Sequence, residues 1–231
     1  APQLNVLDLP YLFVSPEHAY RVLDGEVGDQ IHAIFEENRM KVLGNWEIGF
    51  RNITNSRRQI ETPSDLDGLK IRTTPNNAHI KAFETWGANP TPMNFSEVYL
   101  ALETGQVDGQ ENPIVLIHSM RFHEVQEYLS LTRHAYTAAF QVMNLGTFND
   151  LSEEHQQILL EVGQEAGQHE RDLIAQREAE SLKAMKADGL KVEENPDREA
   201  FREQVVDVTR DAYIAEFGDH LLEQIDAARE Q

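Results

Sequence analysis

The residues best equipped for chemistry are arginines and amides rather than nucleophiles. Arg72 sits in the alternating run Leu69-Lys70-Ile71-Arg72-Thr73. A guanidinium is planar, permanently charged and holds its N–H donors in a fixed fork. Taken by itself, an arginine on a strand is best accounted for by an ion pair with a neighbouring acid. Asn112 sits in Gln110-Glu111-Asn112-Pro113. Its amide both donates and accepts, so it can hold a carboxylate oxygen or a hydroxyl, or close a turn before Pro113. Arg51, Arg57 and Arg58 flank a polar stretch, and Asn94-Phe95-Ser96-Glu97 leads into an apolar segment.

Reactive constellations are not found in the sequence. It has no cysteine, which excludes disulfides, thiolate metal sites and cysteine nucleophiles. There is no glycine-rich phosphate loop, no dinucleotide fingerprint, no His-Glu-x-x-His pair and no Gly-x-Ser-x-Gly elbow. His118 and His123 are five residues apart, which does not align them on one helix face. With 40 acidic residues, close carboxylate pairs arise by chance and identify nothing. Asn52-Ile53-Thr54 and Asn94-Phe95-Ser96 match the glycosylation sequon, a frequent chance match. Forty acids against 20 Lys and Arg give a net charge of −20, which disfavours nucleic acid and anionic lipid as partners. Any anion site must then be a local arginine cluster that overrules the global field.

The elements that would carry these residues follow from punctuation and periodicity. In 231 residues with 40% hydrophobic and 26% charged side chains the chain reads as globular, and no apolar run is long enough to span a membrane. Ser15-Pro16 starts a helix over 16–23, and a second is expected over 29–38. Residues 41–45 and 46–50 read as strand segments, 52–62 as polar, and 69–73 as a short strand. Helices follow over 76–86 and from the Asn94/Glu97 capping-box spacing to 103, with 89–93 between them as a stiff loop. Residues 107–113 form a short strand or turn, with a helix after Pro113. Strands over 128–133 and 138–144 come next. Ser152 opens the longest helix, to 188, with Ile158, Val162, Leu173 and Met185 among its periodic apolar positions. It is long enough to brace two units. A short strand at 190–192 and a mostly helical 197–229 complete an α/β pattern.

Two stretches carry a specific resemblance: Asp65-Leu66-Asp67-Gly68-Leu69-Lys70-Ile71-Arg72, and 90–113, with Asn94-Phe95-Ser96-Glu97-Val98-Tyr99 and Asp108-Gly109-Gln110-Glu111-Asn112-Pro113. Together they resemble the solute-binding proteins of tripartite ATP-independent periplasmic (TRAP) transporters, the DctP-like family, from Val6 to about Gly218. The resemblance implies an α/β, two-lobed periplasmic-binding-protein fold with a cleft, crossing hinge strands at 46–50 and 138–144, and a long bracing helix over 152–188. It places 1–49 and 138–177 in the first lobe, and 50–137 with 178–231 in the second. Family members begin with strand–helix units ahead of the Leu-Asp-Leu-Pro-Tyr-Leu-Phe stretch, so the first lobe is expected to be incomplete at its start.

The resemblance also implies roles. Arg72 is expected to bind the ligand carboxylate, with Arg51 as a second arginine and Arg57 or Arg58 as alternatives to it. Asn112 is expected to contact the ligand, and Phe95 and Asn94 to line the cleft. Glu111 is expected to be structural, and Trp86 and Tyr99 to be core. The implied protein is a monomeric periplasmic component, not an enzyme, with neither cofactor nor metal. It captures a small organic-acid anion by lobe closure and delivers it to the membrane subunits of a TRAP transporter. The 51–58 stretch resembles members that take hexuronates. C4-dicarboxylates and keto acids are the alternatives within the family, and a sugar-acid-processing enzyme with acidic catalysts is the alternative outside it.

Overall fold

Local chemistry sets the helix starts. In the computed structural model, which describes residues 1–229, Ser15 accepts from the His18 amide and Pro16 occupies the first turn of α1 (Pro16–Leu23). α2 (Glu26–Glu37) begins ahead of the expected position 29, with Gly25 as its extended cap. The two strand segments expected over 41–50 are one strand, β1 (Met40–Asn55), which also takes in Asn52–Asn55 from the stretch read as polar. β2 (Lys70–Thr73) is followed by α3 (Asn77–Thr85), capped by the Asn76 side chain. The expected stiff loop is an edge strand, β3 (Asn89–Pro92), where two prolines are tolerated. The Asn94 capping box does not form. Asn94 is exposed and makes no side-chain cap, a short 3₁₀ turn runs over Phe95–Glu97, and α4 (Val98–Glu103) follows. β4 (Gly109–Pro113) leads into α5 (Ile114–Ser119). The segments at 128–133 and 138–144 are also one strand, β5 (Tyr128–Asn144). After α6 (Leu145–Asn149) come α7 (Glu153–Ala187), capped by Ser152, β6 (Lys191–Glu193), and two helices divided at Gly218, α8 (Arg198–Phe217) and α9 (His220–Ala227).

The described strands form one sheet in the order β3-β2-β4-β1-β5-β6. β2 is parallel to β3 and β4, and β5 to β6. β1 is antiparallel to β4 and β5. β1 and β5 pair from Met40↔Asn144 to Asn55↔Tyr128, with register shifts between Val42 and Gly44, Glu47 and Gly49, and Arg51 and Ile53. These bulges break the two-residue alternation, which is why each long strand reads as two short ones in the sequence.

Three apolar clusters hang on this pair of strands. Phe50 and Tyr136 join the first, which gathers residues between Val6 and Ile31 together with Tyr213, Leu222 and Ile225. Ile53 joins the second, with Ile71, Phe83, Trp86 and Phe201, and Leu129 joins the third, with Val98, Ile117, Phe122 and Met185. Trp86 is thus core, and Tyr99 packs partly buried on the third cluster.

α7 meets β1 differently from the expectation. Ile158, Val162 and Leu173 of the expected apolar face are 46%, 56% and 37% exposed, while Gly163, Gly167, Arg171, Ser181 and Met185 are buried. The contact is glycine on glycine: a methyl group on Gly163 would lie 2.3 Å from the Leu43 carbonyl oxygen, and one on Gly44 2.2 Å from that of Gly163. Close backbone approach, not side-chain interdigitation, seats this 35-residue helix of about 50 Å. Arg171 anchors it further through a fork onto Asp24 (2.6 and 3.0 Å), lying over the Tyr20 ring.

Candidate ligand cleft

β4 lies between β2 and β1, so Arg72, Asn112 and Arg51 come from three adjacent strands. Arg72 is in register with Gln110, and Asn112 with Asn52. Arg72 is 2% exposed. Its Nε and Nη2 donate to the Met93 carbonyl at 3.3 and 2.8 Å, which fixes the plane of the guanidinium. Nη1 is buried and has no partner among the described residues. Burial lowers the affinity of Arg72 for its proton, Glu111 opposes that and Arg51 adds to it. The guanidinium carbon stands 5.9 Å from the centre of the half-buried Phe95 ring, which itself packs edge-on to Phe122. A buried cationic donor with nothing to donate to is costly, and an anion is one kind of group that can satisfy it.

Arg51 is held otherwise. Its Nε pairs with the Glu111 carboxylate. Nη2 donates to Glu111 Oε1 and carbonyl, both at 2.8 Å, and to Asn112 Oδ1 at 3.1 Å, while Nη1 donates to Thr137 Oγ1 at 3.0 Å. Asn112 passes its own Nδ2 to Gln110 Oε1 at 2.6 Å, so its amide orientation is set from both ends. Glu111 is fully buried. Burial alone would raise its pKa, but Arg51 and a bond from His134 hold it below the usual carboxylate range. His134 Nε2 lies 3.3 Å from Glu111 Oε2 and Nδ1 lies 2.8 Å from Thr132 Oγ1. Burial pushes His134 down, against the pull of Glu111, so a neutral ring donates from Nε2 and accepts at Nδ1.

Arg57 and Arg58 stand elsewhere: Arg57 binds Asp108 at 2.6 Å on the surface, and Arg58 donates to the Asp67 carbonyl. Neither touches the Arg72 group.

The family model described as "Bacterial extracellular solute-binding protein, family 7" (DctP) matches residues 1–216. The chain belongs to this family. It is similar to the 2,3-diketo-L-gulonate-binding periplasmic protein YiaO of Escherichia coli, with 44% identity over 98% of this chain and 70% of the relative. Two solved structures of TRAP periplasmic solute-binding proteins superpose closely. The protein from Roseobacter denitrificans, with bound β-D-glucuronate, gives a TM-score of 0.94 at 38% identity, covering 98% of this chain and 75% of that one. The protein from Chromohalobacter salexigens, with bound D-glucuronate, gives 0.95 at 32%, covering 98% and 76%. This DctP-family chain therefore has the two-lobed α/β fold, and it is a solute-binding protein rather than an enzyme.

Two residues beside this group are not legible in the sequence of this DctP-family protein: buried His134, and half-buried Asp8 of the Leu7-Asp8-Leu9-Pro10 stretch. Asp8 receives a bond from Asn76 Nδ2 at 2.9 Å. Burial raises its pKa to about 6, against Arg51, which lowers it. Nearby His79, between Thr74 Oγ1 and the Asp8 carbonyl, is pushed by burial to about 4. The two act on stability in opposite senses. The folded state binds the Asp8 proton more tightly than the unfolded chain, so this contribution is complete below about pH 4 and is lost as pH rises to about 6. Folded His79 stays neutral, so its contribution is complete above about 6.5 and is lost as pH falls towards 4. Each is worth about 3 kcal/mol, and between pH 4 and 6 they offset. Asp8→Asn removes the compensating half. Urea titrations are expected to show Asp8→Asn losing about 2 kcal/mol more than wild type between pH 6 and 4. Parallel pH profiles for the two proteins would contradict the assignment.

Proposed function

We propose that the protein captures a hexuronate or closely related sugar acid, with Arg72 as the anchor for its carboxylate. The observation that carries this reading is the buried, acceptor-free Nη1 of Arg72 beside the Phe95 ring. The carboxylate supplies the missing acceptor, Phe95 faces the carbon skeleton, and the pre-oriented Asn112 fixes an oxygen of the acid or a neighbouring hydroxyl. Arg51 contributes by orienting Asn112 and through its charge, and Asn94 sits exposed at the rim. The glucuronate bound to the two solved relatives and the diketo-gulonate in the name of the E. coli relative support a sugar acid over a C4-dicarboxylate.

In this reading the protein works in the periplasm. Its lobes close around the anion only as far as the anion binds the closed form better, and the closed form docks on the membrane subunits of a TRAP transporter. The lobe division we propose keeps 1–49 and 138–177 on one side and 50–137 with 178–212 on the other. Residues 213–229 move to the first, because Tyr213, Leu222 and Ile225 pack there.

Thermal melting with D-glucuronate, D-galacturonate and succinate tests this. At 100 times the dissociation constant a ligand adds about 2.7 kcal/mol, a rise in melting temperature of roughly 5–10 °C. The uronates are expected to give it at millimolar concentration or below. A rise with succinate and none with either uronate would overturn the sugar-acid assignment.

A further inference from the structure

A cavity lies on an arginine cluster apart from the Arg72 group. It holds about 220 Å³ and is lined by Tyr11, Phe13, Pro16 and Phe50 together with Arg133, Arg198, Arg202 and Glu199. It forms where the first and second apolar clusters meet: Phe13 and Phe50 belong to one, and Phe201, next to Arg202 on α8, to the other. We propose that this cavity is a second anion site, which takes a small carboxylate with a flat apolar body.

Three observations support the assignment. The first is charge. In a chain of net charge −20, the cavity gathers three guanidiniums and one carboxylate. Arg202 binds that carboxylate, Glu199, at 2.9 Å, and Arg133 reaches Glu178 only at 3.6 Å. Arg198 donates to the Leu131 carbonyl and has no acid within ion-pair distance among the described residues. Arg198 is exposed as a whole, and partial burial of its guanidinium together with Arg133 weakens its hold on its proton. A carboxylate placed there would pair with Arg198 and relieve its repulsion with Arg133.

The second is backbone strain. Four described non-glycine residues have positive φ, and two of them, Tyr11 (55°) and Arg133 (46°), line this cavity. Both are over-determined by their surroundings: the Tyr11 amide donates to the His134 carbonyl at 2.8 Å, and the Arg133 amide to the buried Asn52 Oδ1 at 3.2 Å. Residues held in this region cluster at ligand sites, where the strained backbone aims a side chain. Here it aims Arg133 over the Phe50 ring, 5.2 Å from its centre.

The third is shape. The cavity is smaller than the roughly 300–1,000 Å³ of sites for drug-sized ligands. Aromatic side chains interleaved with guanidiniums match a single ring bearing one carboxylate. None of these residues belongs to the Arg72 group, so the two sites can be tested apart.

The probe is 4-fluorobenzoate, followed by its fluorine signal and by the ring proton resonances of Phe13 and Phe50 in the full chain. Binding is expected to shift both rings. Arg198→Gln is expected to weaken binding at least tenfold, with unchanged circular dichroism and sugar-acid affinity. Binding is expected to persist in Arg72→Lys. Wild-type affinity in Arg198→Gln overturns the proposal, and so does loss of binding in Arg72→Lys, which would put the acid in the cleft. Unmoved Phe13 and Phe50 resonances overturn it independently of any variant's folding.

Discussion

Arg72→Lys is expected to weaken sugar-acid binding 10- to 100-fold while barely moving the melting temperature of the unliganded protein. The two halves of this result have separate causes. In the free protein, Arg72 gives only the Met93 carbonyl a partner, and Nη1 gives none. A lysine ammonium can keep one bond to Met93 and leaves no new group stranded. In the complex, the guanidinium offers a carboxylate two donors of fixed geometry, and the ammonium replaces them with a point charge. One charge-assisted bond lost is about 1.5–3 kcal/mol, which sets the fold-change. Calorimetric titration with D-glucuronate measures it. Affinity within twofold of wild type would mean that the anion is anchored elsewhere, whatever the fate of the fold.

The legible parts of this molecule were those specified locally. Ser15-Pro16, Asn76 and Ser152 announce helices because a cap is a contact within four residues, and each makes that contact. Arg72 and Asn112 were reached through the resemblance of the stretches around them, not through their spacing. What could not be read needed the third dimension. The continuity of β1 and β5 is hidden by three bulges. Asn52 and Thr54 look like loop residues, yet both are buried: Asn52 supports the Arg133 amide, and Thr54 links Gln110 to Gln126. The seat of α7 was misread because its buried positions are glycines and an arginine rather than its apolar residues. Glu111 and His134 are 23 residues apart and meet only because β4 and β5 flank β1. The one available signal was Glu111 itself, a carboxylate inside a strand that no polar alternation explains.

Glu111→Gln is expected to cost the unliganded protein about 3–5 kcal/mol, because it leaves the Arg51 guanidinium buried beside a neutral amide. That is a large share of the roughly 5–15 kcal/mol that a folded domain commands. The same reasoning predicts a rescue. Replacing both partners with apolar residues, Arg51→Met with Glu111→Leu, removes the stranded charge and is expected to recover part of the loss, the remainder persisting because buried His134 Nε2 loses its acceptor. Urea unfolding of Arg51→Met, Glu111→Leu and the double variant measures the coupling. Additive losses would show that Arg51 and Glu111 do not act as a unit. Binding should move the opposite way from stability. The charges acting on Arg72 are those of Glu111 and Arg51. With Glu111 ionised they nearly cancel, and an arriving anion meets one net cation. Removing the carboxylate leaves two cations, so the folded fraction of Glu111→Gln is expected to hold the sugar acid more tightly than wild type. A variant that is both less stable and weaker-binding would instead show that Glu111 serves binding by holding Arg51 and, through it, Asn112 in place. On this proposal Glu111 keeps Arg51 folded into the sheet and leaves Arg72 for the ligand.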